Sequence, residues 1–211
     1  MTRLSSEEED QINQLRFFWD KYGNFILTIF VVIFGGYALF NGYQWYVSKQ
    51  TEGAAVVFEK IEQAANAKDI ALLEKLWETL SSDYQLTTYP DRAALLVAKS
   101  YYEGGKTDQA IQVLQWLIQH GDRTEYTNVG RLTLSSLLAE KNDYKQALAV
   151  LEGKVSPEFE GLFYDRKGDL AFVQKNYAQA KNFYQQSLDV LKPDSPLKAF
   201  VESKLAALPS E

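Results

Sequence analysis

The side chains that could do chemistry are few. One histidine, His120, stands in the run Gln119-His120-Gly121-Asp122, and the chain has no cysteine. A nucleophile–base–acid triad needs a histidine held between its two partners. A lone histidine at a helix end reads instead as a C-terminal cap favoured by the helix dipole. One histidine also makes a histidine metal cluster hard to build. Without cysteine there is no thiol catalysis, disulfide, iron–sulfur cluster or thiolate zinc site, and no acylated lipoprotein cysteine. Glu158 and Glu160 flank Phe159 and read as solvated carboxylates on a helix surface. Gly104-Gly105-Lys106 lacks the rest of a phosphate-binding loop and reads as a turn between two helices. No catalytic, cofactor-binding or metal-ligating residue is therefore assigned, and the chain is expected to be neither an enzyme nor a cofactor carrier.

The elements that would position such groups have a clearer signature. Lys and Arg number 22 against 28 Asp and Glu, a formal net charge of −6. That balance argues against nucleic-acid binding, which wants a positive face. The mean hydropathy of −0.29 excludes a multi-span membrane protein but hides one short apolar block. From Phe25 to Tyr46 the sequence FILTIFVVIFGGYALFNGYQWY carries no charge. At helical rise this block is about 33 Å long, enough to span a hydrocarbon core. Phe17, Phe18, Trp19 and Tyr22 precede it and Tyr43, Trp45 and Tyr46 close it, as aromatic residues do at the headgroup level. Five acids lie upstream and no small-residue cleavage pattern follows, so the block reads as an uncleaved signal anchor. Arg3, Arg16 and Lys21 before it, against Lys49 and Lys60 after it, bias the N-terminus to the inside. Gly35, Ala38 and Gly42 share one helical face on which another membrane helix could approach closely. Ahead of the block, Ser5-x-x-Glu8 and Ser6-x-x-Glu9 match capping boxes. Ile12, Leu15, Phe18, Trp19 and Tyr22 then form the stripe of a surface-lying amphipathic helix.

After the block an internal repeat is visible. GKTDQAIQVLQWL, KNDYKQALAVLEG and QKNYAQAKNFYQQSL each place a short polar turn before a helix, and their alanines, Ala110, Ala147 and Ala180, lie 37 and 33 apart. Tyr164, Gly168, Ala171, Ala180, Tyr184 and Pro193 fall at or near the positions of the 34-residue tetratricopeptide pattern. Small residues at Gly168 and Ala180 let two helices approach, Tyr184 fills the gap to the neighbouring pair, and Pro193 ends the helix. Ser135 and Leu151 take the glycine and aromatic places in the second segment; Ala98, Tyr101 and Leu114 match in the first. No run has the alternation of a strand.

Helices are expected over 10–47, 52–66, 69–82, 91–104, 107–120, 125–140, 143–153, 159–174, 177–191 and 195–207. Two to three repeat units are expected, with 51–82 as a capping pair without the consensus residues. The fold class is all-α: an N-terminal transmembrane helix followed by a tetratricopeptide-like α-solenoid of antiparallel helix pairs. The expected division is a cytoplasmic segment 1–24, a transmembrane helix 25–46 and a soluble repeat domain 47–211. Helical repeats bind partners on the face lined by the first helix of each pair. That places Arg92, Leu95, Lys99, Tyr102, Leu132, Ser136, Asp165, Asp169 and Phe172 in a candidate groove. The mixture lacks the dense basic set that clamps an acidic peptide terminus and suits an extended polypeptide.

The run RFFWDKYGNFILTIFVVIFGGYALFNGYQWY resembles the ancillary subunit family of the bacterial SecYEG translocon. Its most specific parts are WDKYGN, Trp19 to Asn24, leading into the span, and the Gly42 to Trp45 segment leaving it. The resemblance covers the whole chain. It implies a single-pass inner-membrane protein with its C-terminal domain in the periplasm. It further implies association with the SecYEG translocon and with a single-span periplasmic chaperone of the peptidyl-prolyl isomerase type. It carries over no binding residue. The expected function is that of a tethered, non-enzymatic scaffold that holds a chaperone near exported polypeptides or touches the unfolded chains itself. The alternative is a regulator that sequesters a signalling protein.

Overall fold

The computed structural model describes residues 6–209, with side chains from Arg16 onward. The capping boxes at Ser5 and Ser6 and the stripe positions Ile12 and Leu15 lie outside the described side chains. The chain divides into two compact units, Met1–Gln50 and Thr51–Glu211. Among the described residues the regular elements are nine helices and no strand: α1 Ser6–Ala67, α2 Ile70–Asp83, α3 Tyr89–Glu103, α4 Thr107–His120, α5 Thr124–Glu140, α6 Tyr144–Ala149, α7 Pro157–Val173, α8 Tyr177–Val190 and α9 Pro196–Ala206.

The break expected between residues 47 and 52 does not occur; α1 runs on for 62 residues. No proline interrupts it, and Gly53 lies inside it. A Cβ at Gly53 would lie 2.8 Å from the Tyr84 ring, so the glycine admits a neighbouring side chain against the helix. In the first unit Phe25, Ile33, Phe34, Leu39 and Phe40 are all more than half exposed. Such a surface suits lipid rather than water. Its polar side chains turn back on the helix. Thr28 Oγ1 donates to the Asn24 carbonyl at 2.7 Å and Asn41 Nδ2 to the Tyr37 carbonyl at 3.0 Å. Each thereby places one donor on the helix backbone without water, as a hydrocarbon environment favours.

The second unit is built of helix pairs joined by one recurring turn. Lys68, Gly105, Asn142 and Lys175 all have left-handed backbone, with φ of 56°, 74°, 62° and 62°. The next residue in each case sends its N–H back to a carbonyl five positions earlier: Asp69 to Ala64, Lys106 to Tyr101, Asp143 to Leu138 and Asn176 to Ala171, at 2.8–2.9 Å. This closes the end of the first helix in the Schellman manner. Asp69, Asp143 and Asn176 then cap the second helix, accepting from the N–H of Leu72, Gln146 and Gln179. Four pairs share this geometry: three match the expected repeat units, and the first, expected as a capping pair over 51–82, has the same turn. In the first of them Leu73, fully buried, stands where the others have alanine.

The consensus positions pack as their sizes demand. Ala110, Ala147 and Ala180 are fully buried, as are Leu114 and Ser135, and Tyr101, Leu151 and Tyr184 are nearly so. A Cβ at Gly168 would meet the Tyr184 ring at 2.4 Å, so only glycine lets α8 lay that ring on α7. Pro193 follows the end of α8. One apolar cluster runs from Ala54 and Phe58 of α1 through to Leu170 of α7. A second, around Ala171, Ala180, Tyr184 and Val201, joins the last pair to α9. The first helices α3, α5 and α7 touch in series and so present one continuous face.

Candidate interaction surfaces

On α3 the four face positions hold both charge and ring. Arg92 lies with its guanidinium 4.9 Å from the Phe58 ring centroid and 4.0 Å from Glu62. Leu95 is half-buried against the main core. Lys99 is exposed and faces Glu103 one turn on, at 3.8 Å. Tyr102 reaches across to α5, its hydroxyl donating to the Glu140 carboxylate at 3.0 Å. That bond, broken on ionisation of the phenol, pushes the Tyr102 hydroxyl above its ordinary pKa.

The α5 part is neutral. Leu132 packs on the core, and Ser136 Oγ donates to the Leu132 carbonyl at 2.9 Å. On α7, Phe172 is 42% exposed beside Tyr177. Asp165 and Asp169 stand differently from the expectation. Lys204 of α9 binds both carboxylates, at 2.8 Å to Asp165 and 2.7 Å to Asp169. Tyr184 donates its hydroxyl to Asp169 at 2.9 Å. Burial pushes the Asp165 carboxyl up, while the Lys204 hydrogen bond pulls it the other way. Burial also raises the Tyr184 phenol, reinforced by the Asp169 charge. The exposed part of the candidate groove is therefore Arg92, Lys99, Tyr102 and Phe172, while Asp165 and Asp169 hold the terminal helix.

In the first unit, apart from the adjoining residues and the helix's own backbone, nothing comes within 4 Å of where a Cβ would sit at Gly35 or Gly42. Ala38 between them is exposed, so this face of the span is open.

Three side chains that position these surfaces escaped the sequence reading. Asp91, buried at the start of α3, accepts the N–H groups of Asp122 and Arg123 at 3.0 Å each and fastens the α4–α5 connection. Burial raises its carboxyl against the pull of those two bonds. Arg131 of α5 is 9% exposed and gathers the carbonyls of Val150, Glu152 and Lys154 at 2.8, 2.6 and 3.0 Å. Its guanidinium also lies 4.6 Å from the Phe163 ring centroid. Residues drawn to Arg131 leave the helix, which is why α6 ends at Ala149 and not near 153. Lys204 is the third. Asp91 and Arg131 had one available signal: each is a charged residue on the buried stripe of its helix. Among the described residues no group of three or more His, Asp or Glu is placed to hold a metal ion.

Among the described residues one helix is long and apolar enough to cross a membrane, and it is followed by stacked antiparallel pairs with a common turn. These features define a helical-repeat protein with one candidate membrane span. The family described as "Tetratricopeptide repeat-like domain" matches residues 16–210, and the chain belongs to it. Three curated relatives carry the name "Ancillary SecYEG translocon subunit". The one from Neisseria gonorrhoeae is 24% identical over 96% of this chain and 97% of its own. The one from Buchnera aphidicola is 23% identical over 87% of this chain and 93% of its own. The one from Haemophilus influenzae is 22% identical over 87% and 89%. The resemblance read from the span and its flanks agrees with these relatives.

Proposed function

We propose that the chain is a non-enzymatic adaptor of the bacterial Sec translocon, anchored once in the inner membrane. In this reading residues 1–24 are cytoplasmic, 25–46 cross the membrane and 47–211 stand in the periplasm. The repeat domain would hold a periplasmic chaperone of the peptidyl-prolyl isomerase type beside the translocon exit, or meet emerging polypeptide on the face around Arg92, Lys99, Tyr102 and Phe172. Tethering raises local concentration without any new contact, so weak sites suffice. The observation that carries the reading is the open small-residue face at Gly35, Ala38 and Gly42 on an apolar helix that leads into a binding-type repeat array. The names of the three relatives point the same way.

The test is photo-cross-linking in native membranes, with a benzophenone side chain at position 35 or 42. The reading expects adducts with translocon helices, and none from the same probe at exposed Phe40 on the opposite side of the helix. Lipid adducts alone at all three positions would overturn the lateral contact.

A further inference from the structure

A cleft of about 470 Å³ opens between the second helices of the first two pairs. That size lies within the roughly 300–1,000 Å³ typical of small-ligand sites. One wall is Glu74, Trp77, Glu78 and Ser81 of α2; the other is Gln109, Gln112, Val113 and Trp116 of α4. Both sets follow the i, i+3, i+4, i+7 spacing of a single helical face. Tyr101 of α3 also lines it.

Trp77 and Trp116 meet edge to face with centroids 5.0 Å apart; both pack partly on the main core and keep only part of their rings accessible. His120 stacks on Trp116 at 5.1 Å and covers part of one face of that ring. The lining holds two carboxylates and no cation. Lys106 stands near Glu74 at 4.0 Å, with both side chains well exposed, a geometry that contributes little. Glu78 has no ion-pair partner among the described residues. Burial, with the charge of Glu74 added, pushes the Tyr101 phenol up to about 12, so its hydroxyl stays protonated.

Aromatic faces beside carboxylates form a site for a cation, and a guanidinium is the cation that both stacks on rings and bonds carboxylates in a fork. We propose that this cleft docks an arginine side chain of an extended polypeptide, its guanidinium stacking on the exposed part of one indole of the Trp77–Trp116 pair and pairing with Glu74 and Glu78. The side-chain amides of Gln109 and Gln112 then face the peptide backbone on either side of the arginine. An anionic lipid headgroup is disfavoured by the two carboxylates. The cleft belongs to α2 and α4, not to the α3–α5–α7 face, and does not depend on what that face binds.

The full chain in dodecyl maltoside micelles, labelled with ¹⁵N at the tryptophan indoles, reports on it directly. Titration with the blocked peptide Ala-Ala-Arg-Ala-Ala should shift the Trp77 and Trp116 indole signals saturably and leave Trp19 and Trp45 in place. The citrulline peptide, isosteric but uncharged, should bind at least about fivefold more weakly, as should the Glu74→Gln, Glu78→Gln double variant toward the arginine peptide. Both glutamates are exposed, so that variant keeps its fold, and an unchanged melting temperature verifies this. Absence of shifts at Trp77 and Trp116, equal binding of the citrulline peptide, or unaltered binding by the double variant would each overturn the proposal. Equal affinity for N-acetylarginine amide would overturn the assignment to a polypeptide.

Discussion

Replacing Arg131 with methionine should unfold the repeat array at a markedly lower temperature. The guanidinium makes charge-assisted bonds to three carbonyls of the segment between α6 and α7. Bonds of that kind are each worth about 1.5–3 kcal/mol. They do not add in full. The backbone around Glu152 and Lys154 lies near the surface, where water replaces the lost donor, whereas Val150 is half-buried. Methionine also retains part of the packing on Phe163 and removes the desolvation that lowers the guanidinium pKa. The net loss should be about 3–4 kcal/mol, in the range for removing one partner of a buried charged network. For a domain of this size that is a fall of roughly 6–16 °C in melting temperature. Lysine at the same place, a single nitrogen without the fork, should recover less than half of the loss. The assay is thermal and urea unfolding of the full chain in micelles by far-ultraviolet circular dichroism. Amide hydrogen exchange over 150–156 serves as the local readout. A loss under about 1 kcal/mol, with exchange in that segment unchanged, would refute the view that Arg131 holds the connection.

Three further outcomes follow from the packing. Gly168→Ala puts a methyl group against the Tyr184 ring and should destabilise by about 1–3 kcal/mol, readable in the same urea titration. Lys204→Met leaves Asp165 and Asp169 without their cation; since Asp169 is partly exposed, the expected loss is about 2–3 kcal/mol, below that for a fully buried pair. Increased protease sensitivity around α9 would accompany it. The Asp165 carboxyl has a raised folded-state pKa, so the fold binds its proton more tightly than the unfolded chain does. Its contribution to stability is full below the ordinary value of 3.8 and fades as pH rises through the raised folded value. The melting temperature of the native chain should therefore fall less on acidification than that of Asp165→Asn; identical pH profiles would contradict the shift.

The elements and consensus contacts were legible because they rest on local spacing. Gly168 and Tyr184 lie on facing helices of one pair, and their sizes alone state the contact. The first pair was harder to see. It was expected only as a capping pair over 51–82, because Leu73 replaces the alanine of the repeat and Lys68, like Lys175 in the last pair, gives its left-handed turn no glycine signal. The turn is defined by backbone hydrogen bonds that any side chain permits at a modest strain. Of the groove, the face was legible from the helical period but its occupancy was not. Lys204 lies 39 residues from Asp165 and 35 from Asp169 along the chain, and no local pattern links them.

That long-range lock bears on how the array ends. A stack of helix pairs leaves an apolar face uncovered at each end, and terminal elements must cover it. At one end the tail of α1 does so, with Phe58 under Tyr89 and Arg92 of α3. At the other, α9 lays Val201, Leu197 and Leu205 on the last pair. An apolar cap alone is non-directional, and α9 is only 11 residues long. The ionic contact of Lys204 with two carboxylates and the nearby Tyr184 hydroxyl fixes where along α7 it rests. Because Asp165 and Asp169 lie on the same face as Arg92, Lys99 and Tyr102, the cap also sets the limit of that face. A partner that enters along α3 and α5 meets Phe172 next and then a lysine already paired. In the reading proposed above, that face carries rings and paired charges at its α3 end and is closed by α9 at the other, so an extended polypeptide lying on it would meet a different end in each direction.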